Sequence, residues 1–462
     1  MSARLPMNRN LLTVAVAAAL AVPAASQDVV AVKAGKILTI SGPTLDNGVI
    51  LIQNGRIAKV AKAGEVEIPW TAKVVDASDK VVLPTWVLAH SQSGNRGMTE
   101  NMQNVPWLSV ADAIDPSSAF FEEALRNGVG TIHVLPGNQT LLGGQGLIVR
   151  PYGRTIEDMA VGGNTGVKMS LLSSGGGRLQ QIRRMRRAIE DVREYVADFD
   201  RRKAEFDKEK AAGAIAKDKE WTEEFDRTRK PAIALVQKKA KGWLFVPSAA
   251  EIDEAMRLGQ ELDLVYLLGA NIDEGVAALA KLGVPVVLDE TLEYTEKDAE
   301  TNVETRHCPA KQLADAGVPF AISLATGGPG SYPWWQLGTL VRNGVDRQKA
   351  LESLTVVPAK LLGLQDQVGS IAEGKLGNLQ VLSGDPLLAT SWVETVLLEG
   401  QVVYERSKDP RLQLLLAPPA KAAEAPKDKA SEPAPAGTEP AGTVPAGQAK
   451  PAESSNQKTE GK

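Results

Sequence analysis

Apolar and polar residues alternate along the first part of the chain. "VVAVKAGKILTI", "GVILIQNGRIAKVAK" and "AKVVDASDKVVLP" read as short strands separated by Asn-Gly and Asp/Gly turns. The same texture returns in "GSIAEGKLGNLQVLSG" and "VETVLLEGQVVYE" near the other end. Two β-rich flanks, residues 27–82 and 366–412, predict one small sandwich-like β domain built from both ends of the chain.

The middle has a different rhythm. "FFEEALRNGVGTIHVLPG" reads as a helix, a Gly turn and a strand. "EIDEAMRLGQELDLVYLLGA", "EGVAALAKLGVPVVLDE" and "PAKQLADAGVPFAISLA" repeat the phrase. A helix that closes at Gly and feeds a short apolar strand is the unit of a parallel α/β sheet. Repeated over residues 83–365, it predicts a (β/α)8 TIM-type barrel, with an open doubly wound sheet as the alternative. Residues 178–240 interrupt it with a long run of mixed charge, predicting a solvated helical insertion. Its basic cluster Arg183, Arg184, Arg186 and Arg187 is followed by acids within a turn or two. Residues 413–462 are rich in Ala, Pro, Lys and Glu. They offer too little apolar surface to offset ordering entropy, which predicts a disordered tail.

Residues 1–26 carry Arg4 and Arg9, an apolar run Leu11–Val22, and small residues up to Ser26. That order predicts a cleaved secretory signal peptide, and so an exported, periplasmic or extracellular protein. The run is too short to span a bilayer, and no later stretch suits a transmembrane helix. The chain has 462 residues, 43% of them hydrophobic, and a net charge of -4. This suffices for a sizeable core, and without a basic excess nucleic acid is not an expected partner. Cys308 is the single cysteine, so an intramolecular disulfide is excluded. "GGQG" (Gly143–Gly146) lacks the Lys-Ser/Thr of a phosphate loop and reads as a tight loop over a barrel mouth. No G-x-S-x-G elbow occurs.

Three passages carry a family likeness. They are "VVLPTWVLAHSQSG" (Val81–Gly94), "GVGTIHVLPGNQTLLGGQGLIVRPYG" (Gly128–Gly153) and "LTVVPAKLLGLQDQVGSIAEGKLGNLQVLSGDPL" (Leu354–Leu387). Together they resemble the imidazolonepropionase-like branch of the amidohydrolase superfamily. The resemblance implies a barrel that hydrolyses non-peptide C–N bonds with one or two divalent metals, usually zinc. In the family, strand 1 gives His-x-His, strand 4 a bridging Lys or Glu, strands 5 and 6 one His each, and strand 8 an Asp.

Carried onto this sequence, the pattern is mostly erased. The strand 1 pair becomes His90 and Gln92, with Leu88 where an Asp usually precedes. Strand 4 keeps Lys168 but has Ser173 at the carboxylate position; strand 5 offers Phe245 and Pro247. The strand 6 histidine becomes Leu268, and the strand 8 Asp becomes Ala325 or Thr326. A catalytic zinc needs three protein ligands and an open position, and the whole chain has three histidines. The resemblance therefore implies no metal cofactor here. His90 and Lys168 are the candidate reactive groups. His90, Gln92, His133, Phe245, Leu268 and Ala325 are the expected lining of an altered pocket.

His133, in "TIHVLPG", reads as a packing or hydrogen-bonding residue, and His307 as a surface residue in a loop before a helix. Trp334 and Trp335 read as a contact patch or as core plus rim. The expectation is a non-catalytic, oligomeric member that binds a small molecule or an active relative of the same fold. The alternative is an active hydrolase on cyclic amides, using His90, Gln92, Lys168 and Asp289 or Glu290. For those two acids the competing reading is a helix N-cap.

Overall fold

The computed structural model describes residues 29–95, 104–173, 177–269, 271–289, 291–325 and 327–417. The predicted signal peptide, most of the predicted tail, Glu290 and Thr326 lie outside them. The chain divides into two units, Met1–Gln413 and Leu414–Lys462, and every element named below belongs to the first. No described helix is long and apolar enough to cross a membrane.

The chain opens with β1 (Val29–Ile37), β2 (Leu45–Gln53), β3 (Arg56–Lys62) and β4 (Lys73–Pro84). The barrel strands follow: β5 (Trp86–Ser91), β6 (Val129–Val134), β7 (Leu142–Val149), β8 (Ala160–Ser170), β9 (Gly242–Val246), β10 (Leu264–Leu268) and β11 (Val286–Leu288). A small hairpin of β12 (Tyr294–Lys297) and β13 (Glu304–His307) precedes the last barrel strand, β14 (Phe320–Ile322). The chain then returns to the first sheet as β15 (Leu379–Leu382), β16 (Val393–Leu398) and β17 (Gln401–Glu405).

The composite domain is one seven-stranded sheet in the order β17-β16-β15-β4-β1-β2-β3. Its edge strand β3 closes onto the segment that leads into β15. Ile57 on the edge strand β3 donates to Lys375 O at 2.8 Å, and Gly374 donates back to Ile57 O at 2.8 Å. Val32, Ile50, Ile57, Leu379 and Leu397 fill the fold between them. This gives the expected sandwich-like core from a single sheet, with strands from both chain ends.

The barrel sheet has eight strands in the order β14-β11-β10-β9-β8-β7-β6-β5. All neighbours are parallel except β7, which runs antiparallel to both β6 and β8. The departure from an ideal (β/α)8 barrel arises where Gly143–Gly146 reads as a tight loop. No helix separates β6 from β7, so the chain turns straight back as a strand. The glycines explain how it fits: a Cβ on Gly146 would stand 2.5 Å from His133 Nε2, and one on Gly144 would stand 2.9 Å from the Leu108 carbonyl oxygen.

The outermost strands, β5 and β14, are joined through a third segment. Val87 N–H donates to Leu354 O at 2.8 Å, and Ile322 N–H donates to Ser353 O at 3.1 Å. The helix that follows, Val356–Leu361, sends Val357 and Leu361 into the barrel interior beside Ala89 and Ala321. Around the outside, helices alternate with strands as the sequence predicts. Ile252, Ala255 and Leu258 bury one stripe of the helix Ile252–Glu261. Gly283, at φ 61°, ends the helix Val276–Leu282 in the left-handed conformation that favours glycine.

The insertion opens with a 35-residue helix, Gly177–Ala211, whose first half is not free in solvent. Gln181, Met185, Ala188, Ile189 and Val192 are buried along one face. Arg186 Nε donates to Glu254 Oε1 at 3.0 Å, and Arg257 Nε donates to Glu254 Oε2 at 3.0 Å. Burial alone would raise the Glu254 carboxyl, but the Arg186 and Arg257 guanidiniums hold it down at about 2. Part of the charge that predicts a solvated helix is thus spent on docking it.

Candidate functional site

Side chains alternate across each barrel strand. Ala89, Trp243, Phe245, Val265, Leu267, Val287 and Ala321 point inward and form the interior cluster. Leu88, Leu244, Val246, Leu268, Leu288 and Ile322 point outward into the core under the helices. Leu268 is therefore not in the pocket, and Leu267 occupies the inward position at that strand end. Leu88 faces outward as well.

His90 stands at the C-terminal end of β5 and is 2% exposed. The β5–β6 register shifts between Leu88 and Ser91, so simple alternation ends there. Gln92 consequently lies beyond the strand and is exposed, its carbonyl accepting from Asn95 Nδ2 at 2.6 Å. It does not pair with His90. Asp289, just after β11, does: its Oδ1 is 3.3 Å from His90 Nδ1. Ser323, just after β14, places its Oγ 3.4 Å from the same nitrogen. Asp289 therefore faces the barrel mouth and caps no helix; the next described element is β12. His90 Nε2 is buried without a hydrogen-bond partner among the described residues.

Lys168 is fully buried on the inner side of β8, between the outward-facing Val167 and Met169. Its Nζ donates to Asn138 Oδ1 and sits 5.3 Å from the centre of the Phe245 ring. Phe245 thus fills an inward strand-end position with an aromatic face that carries a cation. Ser173 is exposed, Pro247 half-buried, and Ala325 half-buried in a turn where its N–H donates to Gly330 O at 3.0 Å.

His133 is wholly enclosed. Its Nδ1 lies 2.9 Å from Ala89 O, its Nε2 lies 2.6 Å from Thr165 Oγ1, and its ring packs 4.2 Å from that of Trp243. Burial pushes the imidazole down to about 3, against the opposing pull of the Ala89 hydrogen bond and with help from nearby Lys241. With both nitrogens engaged it has no lone pair for a ligand. His307 ends β13, stacked on Tyr294 at 4.8 Å with Nε2 3.3 Å from Glu296 Oε2. It is a partly buried strut of the hairpin, not a loose surface residue. Trp335 is 41% exposed beside the half-buried Trp334, so neither ring is buried in the core.

These residues do not fit a catalytic divalent ion. Among the described residues no group of three or more His, Cys, Asp or Glu stands close enough to hold one. Besides His90 and Asp289, the inward positions towards the strand ends include Leu135, Lys168, Phe245, Leu267 and Ser323. A hydrated dication among them would meet apolar bulk with little charge to offset its desolvation.

The sequence matches the profile of the Amidohydrolase family over residues 117–404. The chain belongs to this family. The amidohydrolase from Thermotoga maritima MSB8 has a similar fold, with a TM-score of 0.70 at 26% identity; the match covers 82% of this chain and 100% of that one. Among curated relatives, the imidazolonepropionase of Flavobacterium psychrophilum is 21% identical over 78% of this chain and 93% of its own. That of Christiangramia forsetii is 22% identical over 82% and 98%. The imidazolonepropionase-like likeness read from the three motifs holds, and this amidohydrolase carries it in the barrel and the composite sheet.

Sequence reasoning missed Ser323, Asn138, Thr165 and Leu267. Ser323 was within reach: it stands two residues after the inward Ala321, just past the end of β14. Asn138 and Thr165 gave no signal, because both depend on the unexpected strand β7.

Proposed function

We propose that this amidohydrolase binds a small polar molecule at its barrel mouth and does not carry out the family's metal-assisted hydrolysis of C–N bonds. The observation that carries the reading is the set of inward strand ends, where Phe245 and Leu267 replace polar ligands and only Asp289 and Ser323 face His90. It supports a pocket with two buried ionisable anchors, His90 and Lys168, on an apolar floor. Within the same proposal, the protein works after export, as an oligomer or beside an active relative of the same fold. The Arg4, Arg9 and Leu11–Val22 pattern supports export.

Elemental analysis of the purified full-length protein tests the reading. The expected result is no stoichiometric metal, also after incubation with zinc and gel filtration. One equivalent of tightly held zinc, iron or manganese would overturn it.

A further inference from the structure

One atom at the mouth is left without a role by simple binding. His90 Nδ1 is held between the Asp289 carboxylate at 3.3 Å and the Ser323 hydroxyl at 3.4 Å. The ring is 2% exposed, and Nε2 has no hydrogen-bond partner among the described residues. A buried ring nitrogen that stays unpaired loses its hydration with no return. A polar guest at Nε2 removes that cost. With its proton on Nδ1, towards the carboxylate, the ring presents the Nε2 lone pair to the guest. Carboxylate, imidazole and open nitrogen in this order make an oriented general base. His133 and His307 do not share the arrangement: the first has both nitrogens bonded, and the second lies between Asp273 and Glu296.

We propose that His90, positioned by Asp289, is the general base of a metal-independent hydrolysis of small acyl esters in the barrel mouth. The proposal rests on the loss of metal chemistry argued above. Water hydrogen-bonded to Nε2 gives up a proton to that nitrogen as its oxygen bonds to the acyl carbon. The carbonyl π pair moves onto oxygen and forms a tetrahedral oxyanion. When the carbonyl re-forms, the C–O bond to the alcohol breaks, and the departing alkoxide takes the proton from Nε2. The products are a carboxylic acid and an alcohol, and no further reactant is needed. Esters fit better than amides because alkoxides leave without the strong acid that an amine nitrogen demands. Lys168 adds a buried positive charge on the inner wall, seated on Phe245, which packs in the same interior cluster as Ala89.

The test is hydrolysis of p-nitrophenyl acetate by full-length protein dialysed against 1,10-phenanthroline. The expected result is saturable hydrolysis unaffected by the chelator. His90→Ala lowers kcat/KM by about 100-fold, and free imidazole restores part of the rate above the imidazole blank. Asp289→Asn lowers kcat by about 10-fold or more with KM little changed, and His307→Gln, at an outlying histidine, keeps the parental rate. A folded His90→Ala protein at full activity overturns the proposal, as does parental protein no faster than buffer. If His90→Ala fails to fold, an Asp289→Asn protein with unchanged kcat overturns it instead. Activity that the chelator abolishes and zinc restores overturns the preceding metal-free reading, which metal content alone tests independently.

Discussion

Acidification from pH 7 to pH 5 is expected to cost about 2 kcal/mol of folding stability through His133 alone. Unfolded, this imidazole titrates at the ordinary value of 6.5; folded, it is held near 3. Between those values the unfolded chain binds a proton that the native chain refuses. Stability from this residue is therefore full above pH 6.5, declines as pH falls, and levels off below about 3. The loss approaches about 1.4 kcal/mol per pH unit inside the window. The assay is urea denaturation at pH 7, 6 and 5 for the parent and for His133→Gln, which carries no titrating group there. The variant starts less stable, since it vacates a packed site against Trp243, but only the slopes are compared. Carboxylates elsewhere affect both proteins alike. The parent should lose about 2 kcal/mol more than the variant across the interval. Equal slopes would refute the reasoning and mean that His133 titrates freely in the native state.

Two further outcomes follow from close packing and from its absence. Gly146→Ala places a Cβ 2.5 Å from His133 Nε2 and 2.7 Å from Thr165 Oγ1, and should cost about 1–3 kcal/mol in denaturation midpoints, whereas Gly163→Ala, with nothing within 4 Å, should cost far less. Arg187→Ala removes an exposed i,i+4 pair with Asp191 at 2.7 Å and should change stability by less than about 0.5 kcal/mol in the same measurement.

The sequence discloses the barrel and its companion sheet because long motifs and strand–helix rhythm both point to them. Register is where legibility fails. "LVYLL" on β10 is apolar on both faces, as buried parallel strands are, so nothing in it distinguishes Leu267 from Leu268. At β5 the two-residue period predicts that Gln92 shares a face with His90, but the register shift after Leu88 breaks the period. Around Gly143–Gly146 the glycines signal a turn, because the property that admits them to β7, room for His133 and the Leu108 backbone, lies far away in sequence. Asp289 joins His90 across the barrel, a contact between residues 199 positions apart in the chain (289 minus 90) that no local pattern encodes. Phe245 and Lys168, by contrast, are placed correctly, since flanking residues fix their strands and neighbours fix their parity.

The junction between β5 and β14 has a consequence for how the molecule is made. Those strands meet through the backbone of Ser353 and Leu354, which emerge from the ribosome after every strand of the barrel wall. Until then the nascent wall keeps two raw edges, each able to recruit a foreign strand. Residues 353–361 therefore act as a clasp fastened last, and a chain that stops short of them would have its wall complete in sequence yet unable to shut.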